Sequence, residues 1–226
     1  MSEPSNNLIV RGERLPLPRI VLEAGGTARN WKDDGEPHLA NAERLKLLTT
    51  FVLHETAGNS ATGCADTIRR RKLGIHLVLG KDGVIHNHAD LATEVCWHAG
   101  QVNKVSVGLE VVNPYRPELA REPHGIIVSA PWWCWVPKGA KRLYVTPLPI
   151  QLAVTVVLVP WLCDHLGIPV VFPTRDLGAP QPRIRGWRKP PLGWSAKPGP
   201  GIVAHRDFAG HADGRYLLDH LMDAIP

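Results

Sequence analysis

The sequence predicts a mixed α/β domain, and three observations carry that reading. Short apolar runs rich in β-branched residues recur at 49–54, 75–88, 105–113 and 201–205, each bounded by glycine, asparagine or a polar turn. Helical signals lie among them: a serine-capped stretch beginning at Ser60 and an amphipathic C-terminal run, "RYLLDHLMDAI". The 226 residues, 44% apolar and 21% charged, suit one sizeable soluble domain and are few for two.

Taken in order, residues 1–48 are polar and turn-rich, with "LIV" and "RIVLEAGG" as two short strand candidates. They are expected to form an N-terminal extension packed on a domain at 49–226. "TTFVLHETAG" predicts a buried strand ending at His54 and then a loop. "SATGCADTIRRRKLG" predicts a helix capped by Ser60 and closed by Gly74. "IHLVLGKDGVIHNH" predicts a hairpin turning at Lys81-Asp82-Gly83, where the glycine supplies a positive φ. "VSVGLEVVN" is another strand. Residues 113–147 read as an inserted hairpin or long loop whose "APWWCWVP" holds three near-adjacent tryptophans. At 148–167 two readings stand: "VTVVLV" and Pro160 argue for strand, length and all-round apolarity for a buried, kinked helix. Residues 173–200, dense in Pro, Gly, Arg and Trp, predict a long ordered loop. "GIVAH" is a short strand ending at His205, and "RYLLDHLMDAI" the closing helix. No internal repeat is present.

Lys and Arg outnumber Asp and Glu by 26 to 21, a net charge of +5 that favours an acidic partner: nucleic acid, anionic membrane or anionic wall polymer. "IRRRK" at 68–72 is a single basic turn with no nucleic-acid motif beside it, so no nucleic-acid role is expected. The longest apolar stretch, Ile150 to Cys163, falls short of the roughly 20 residues that cross a bilayer; no transmembrane segment is expected, and the stretch should be core. The N-terminus lacks a basic segment followed by an apolar run, which predicts synthesis in the cytoplasm without a classical signal. Four cysteines without a CxxC pair read as buried or free thiols in a reducing compartment.

"GIVAHRDFAGHADGRY" concentrates His205, Asp207, His211 and Asp213 in one short stretch. Solvated loop, metal cradle and general acid/base pair are all open to it. His54 and His205 each end an apolar strand, where side chains emerge at a sheet rim. A hydrolytic zinc site takes three N or O ligands and leaves a position to water. Two strand-end histidines with Asp213 folding back would meet that need. Alternation puts Ser106, Gly108 and Glu110 on one face, so Glu110 projects among tiny neighbours that leave room for a substrate. The plainer readings stand beside these: any of eleven histidines is more often a surface residue, Asp207 can pair with Arg206, and Asp213 can cap the last helix.

"VLHETAG", "GIHLVLGKDGVIHNHAD", "CWHAGQVNKVSVGLEVVN" and "IVAHRDFAGHADGRY" occur in this order. Over about 48–225 the chain resembles the zinc-dependent N-acetylmuramoyl-L-alanine amidases of the amidase-2 type, relatives of phage amidases and peptidoglycan recognition proteins. The resemblance implies a central mixed sheet flanked by helices, with the metal site at its rim, and makes 148–166 helical. It makes His54, His205 and Asp213 the ligands of one zinc ion (Zn2+) per chain, Glu110 the catalytic glutamate and His98 a histidine lining the cleft. It implies a peptidoglycan or muropeptide substrate, cut between the lactyl group of N-acetylmuramic acid and L-alanine. The expected role is lytic and endolysin-like, acting on the wall once released or delivered; a cytoplasmic recycling amidase and a non-catalytic binding module are the alternatives. Three departures stand out. His211 replaces a frequent lysine and would donate to the oxyanion; Ile75 replaces the phage tyrosine and shifts proton transfer onto Glu110; "DGR" replaces "DPG". A thiol enzyme using Cys64, or Cys96 beside His98, is weaker, because no pattern marks an activated thiol.

Overall fold

The computed structural model describes residues 6–30, 39–40, 43–130, 143–175, 183–184, 187–188, 197–209 and 213–225. The chain opens with an antiparallel hairpin, β1 (Asn7–Val10) and β2 (Glu13–Pro16), then α1 (Arg19–Glu23), β3 (Thr27–Asn30) and the two-residue β4 (Leu39–Ala40). "LIV" lies in β1 as expected, whereas "RIVLE" is a helix and not a strand. Extended Pro18 starts it: the amides of Val21 and Leu22 donate to the Pro18 carbonyl at 3.0 and 3.3 Å. Arg19 and Glu23 add an exposed i,i+4 pair at 2.7 Å.

Next come β5 (Thr50–Glu55), α2 (Ala61–Arg71), β6 (Leu77–Leu79), β7 (Val84–Asn87), β8 (Glu94–Val95) and β9 (Ser106–Val111). Every residue of β5 is buried, which is why its apolar run is nearly continuous. The Ser60 hydroxyl accepts from the Gly63 amide at 3.1 Å, the expected cap. The helix closes earlier than its glycine suggests, on left-handed Lys72 (φ 55°). The β6–β7 hairpin turns on Gly83 at φ 80°, as its Asp-Gly pair predicts.

The ends of the insertion pair as β10 (Ile127–Ser129) and β11 (Leu143–Val145), an antiparallel hairpin; its tryptophans lie outside the described residues. The ambiguous apolar segment is a helix, α3 (Pro149–Leu166). Pro149 suits a first helical turn, and left-handed Gly167 ends the helix. By length and composition α3 would cross a bilayer; its Val154, Leu158, Leu162 and Leu166 are buried in the core instead. Within 173–200, expected to be loop throughout, β12 (Arg183–Ile184) and β13 (Trp187–Arg188) pair over two residues. Then follow β14 (Gly201–Ala204) and α4 (Arg215–Ala224).

The central sheet has six strands in the order β14-β5-β9-β6-β7-β3, all neighbours parallel except β6 and β7. This is the mixed sheet flanked by helices that the sequence led one to expect. Residues before 48 supply its β3 edge, which pairs with β7. One face packs Leu53, Leu77, Leu79 and Leu109 against α3 and α4; on the other, Val78 meets Cys64 and Ile68 of α2. His54 and Glu110 fall on the α2 side by the same alternation.

If α3 is a core helix, Leu158→Ala should lower unfolding free energy by about 2–5 kcal/mol in urea denaturation without detergent. A loss under about 1 kcal/mol would mean that α3 does not pack as described.

Candidate metal and catalytic site

Register assembles the site. Ala204 lies opposite Leu53, and Leu53 opposite Leu109, so the residues that follow, His205, His54 and Glu110, reach the same rim side by side. The His54 and His205 rings are 4.5 Å apart between centroids. After His205 the chain makes a 3-10 turn and returns, the Arg206 amide donating to the Asp213 carbonyl at 3.0 Å. Both Asp213 carboxylate oxygens then lie 3.1 Å from His205 Nδ1, and Oδ2 lies 3.7 Å from His54 Nδ1. Gly214 is required here: its φ is 78°, and a Cβ would run into the Leu53 carbonyl. One ligand atom from each of His54, His205 and Asp213 lies within 4.8 Å of the others, two imidazole nitrogens and a carboxylate oxygen. Burial acts to raise the Asp213 carboxyl, but His205 and His54 outweigh it and hold it well below the usual carboxylate range.

His98 sits behind His54. Its Nδ1 is 3.0 Å from His54 Nε2 and its Nε2 is 3.1 Å from Ser106 Oγ. A Cβ on Gly108 would lie 2.5 Å from His98 Nδ1 and 2.6 Å from Ile75 Cδ1. The space beside Ser106 and Gly108, expected to receive substrate, is therefore taken by the His98 ring. Burial, then the neighbouring imidazoles, hold His98 well below the ordinary histidine range.

Glu110 Oε1 lies 4.0 Å from His54 Nδ1, while its buried Oε2 has no hydrogen-bond partner among the described residues. Burial, then Asp213 and Glu55, push this carboxyl well above the carboxylate range. The groups open into a cleft of about 340 Å³, walled by Cys64 of α2, Ile75 and Trp97. Burial and Glu110 push the Cys64 thiol up, the reverse of what a thiol nucleophile needs, and Cys96 is buried. His211 lies outside the described residues.

Asp207, next to Arg206 in sequence, forms its salt bridge with Arg215 at 3.2 Å, while the Arg206 charge also acts on it. One polar group escaped sequence reading. Glu55, buried beside His54, accepts from Tyr144, Asn113 and the Gly214 amide. A carboxylate inside a fully buried strand was the one local signal for it, and burial pushes it up to about 7.

A family profile described as N-acetylmuramoyl-L-alanine amidase matches residues 46–214. No curated protein matches the chain. Among solved structures, the chain is similar to the Staphylococcus aureus hydrolase AmiA in complex with its ligand, at 13% identity and TM-score 0.50, over 85% of this chain and 75% of that one. A mutant endolysin from Bacillus subtilis aligns at 15% identity and TM-score 0.48, over 88% and 96%. The N-acetylmuramoyl-L-alanine amidase LysC from Clostridium intestinale URNW aligns at 14% and 0.47, over 82% and 87%. At 13% identity the likeness to the Staphylococcus aureus hydrolase concerns the fold alone.

Gly108→Ala should displace the His98 ring from His54 and destabilise the protein by about 1–3 kcal/mol, the usual range for overpacking. Thermal melts and the His98 ring signals in NMR check this; an unmoved His98 would refute the packing.

Proposed function

The chain belongs to the N-acetylmuramoyl-L-alanine amidase family, and from that premise we propose a zinc-dependent hydrolase that cuts between the lactyl group of N-acetylmuramic acid and L-alanine in peptidoglycan. The observation that carries this reading is the donor set at the sheet rim. His54, His205 and Asp213 converge within 4.8 Å beside a Glu110 oxygen that no described protein donor satisfies. Two imidazoles and a carboxylate suit Zn2+ in number and kind. These three residues would hold the ion, which when bound supplies Lewis acidity, polarising a carbonyl and easing deprotonation of water.

The protein's own residues do the rest. Glu110, at the cleft, accepts the proton of the attacking water as the new C–O bond forms. It returns that proton to the alanine nitrogen as the C–N bond breaks. His98 holds the His54 ring: His54 donates through Nε2 to His98 Nδ1, and His98 donates through Nε2 to Ser106 Oγ. That tautomer puts the His54 lone pair on Nδ1, the nitrogen that faces Asp213. His211 takes the oxyanion-donor role that its sequence position suggests.

We place the enzyme on intact wall, made in the cytoplasm and acting after release or delivery. The net charge of +5 supports attraction to an anionic wall. Intact sacculi and soluble anhydro-muropeptides, offered side by side, separate the roles. Faster cleavage of sacculi is expected. Preference for the soluble fragment would move the enzyme to recycling, and binding without cleavage would make it a recognition module.

Purified protein should carry near-stoichiometric zinc by elemental analysis and lose activity to a chelator but not to a thiol alkylator. His205→Ala should lose the metal. Glu110→Gln should keep both metal and fold while kcat falls about 10²- to 10⁴-fold. A drop below tenfold would give the proton to another group.

A further inference from the structure

Asp213 stands on a loop, and a metal ligand on a loop needs its backbone held. We propose that Glu55 is a positioning residue that fastens the Asp213 loop to the sheet, and that the 113–147 insertion supports the metal centre through it by way of Tyr144. The proposal rests on the reading of His54, His205 and Asp213 as zinc ligands.

Glu55 follows His54 directly but points to the opposite face of β5, towards α4. It is 3% exposed and accepts three hydrogen bonds. Its Oε1 takes the Tyr144 hydroxyl and Asn113 Nδ2, the latter at 2.8 Å; its Oε2 takes the Gly214 amide at 3.1 Å. This division has a mechanical result. Two donors on Oε1 set the rotation of the carboxylate, so Oε2 is presented to one N–H, that of the residue after Asp213. The carbonyl of that same peptide group, which belongs to Asp213, accepts from the Arg206 amide at 3.0 Å. The 213–214 peptide is thus fastened at both its N–H and its C=O.

The two donors on Oε1 are themselves tied to the insertion. Asn113 also donates to the Val145 carbonyl at 2.9 Å, and the Tyr144 ring stacks on Tyr216 of α4 with centroids 5.3 Å apart. Three convergent donors call for a group that only accepts, as an ionised carboxylate does. Glutamine would keep the shape but turn an N–H2 towards one of those donors. A buried donor left without its acceptor is destabilising, so the mismatch would fall on the Asp213 loop or on Tyr144.

The test compares full-length Glu55→Gln, Tyr144→Phe and the double variant. Zinc affinity is read by competition with a chelator, and folding by circular dichroism melts of the metal-free proteins. E55Q is expected to weaken zinc binding by roughly 10- to 100-fold, the range for lost outer-shell partners, and Y144F by less. The double variant should bind zinc no worse than E55Q, because Tyr144 acts through Glu55. Folded E55Q with the parent's zinc affinity overturns the proposal, and additive losses overturn the insertion's part in it. Should E55Q fail to fold, Y144F decides: weaker zinc binding supports the proposal and unchanged binding overturns it. If the parent protein itself binds no zinc, the metal reading falls and takes this with it. If the parent binds zinc, H205A does not, and E55Q matches the parent, only the Glu55 proposal fails.

Discussion

Parallel, in-register pairing of β14, β5 and β9 is the constraint on which the site depends. Neighbouring strands lie about 4.8 Å apart, so residues that leave the sheet at the same level arrive within ligand distance without any further device. Leu53 sits between Ala204 and Leu109, and the next residue of each strand is His54, His205 or Glu110. A slip of one residue in β5 would turn His54 towards α3 and α4. The slip is opposed because both faces of β5 are buried: it would drive His54 among the leucines under α3 and α4 and take Glu55 away from its three donors.

Asp213 cannot rely on strand register, and a second layer of polar contacts fixes it. Gly214 lets the backbone lie against β5, where any side chain would meet the Leu53 carbonyl. The start of α4 is pinned by Arg215, which bonds Asp207 at 3.2 Å, Asp219 at 2.8 Å and the Thr174 carbonyl at 3.1 Å. Buried charges are tolerated when they are paired and hydrogen-bonded in this way. The ligand loop thus hangs between a strand and a helix, each anchored separately.

The middle of the site shows why small residues occur at 106 and 108. Ser106 and Gly108 accommodate an imidazole that touches a proposed ligand, not a sugar or a peptide. Arg44, wholly buried, supports β9 nearby: its guanidinium donates to the carbonyls of Ser106 and Leu91 and lies 3.2 Å from His76 Nε2. Burial lowers its pKa to about 10, which still leaves it charged. A residue from the first 48 therefore stands close behind the proposed catalytic strand.

The local elements could be read from the sequence because their causes are local. Ser60 caps α2, the Asp82-Gly83 turn makes a hairpin, and the apolar runs ending in His54 and His205 are strands that stop at a rim. The ordered motifs, read together, pointed to the family and to the three residues whose ligand atoms converge at the rim. Other features depend on partners far along the chain. α3 is a helix although its β-branched run suits a strand, because the sheet offers it a face to cover. The α1 segment turns helical on Pro18, and β3 finds its partner in β7. Glu55 meets its three donors 58, 89 and 159 residues away. The sequence by itself determined which side chains could ligate and where strands end, since those follow from residue type and alternation. Only the tertiary structure decided which buried polar group meets which, because a hydrogen bond is satisfied by proximity in space, and neither spacing nor composition records that.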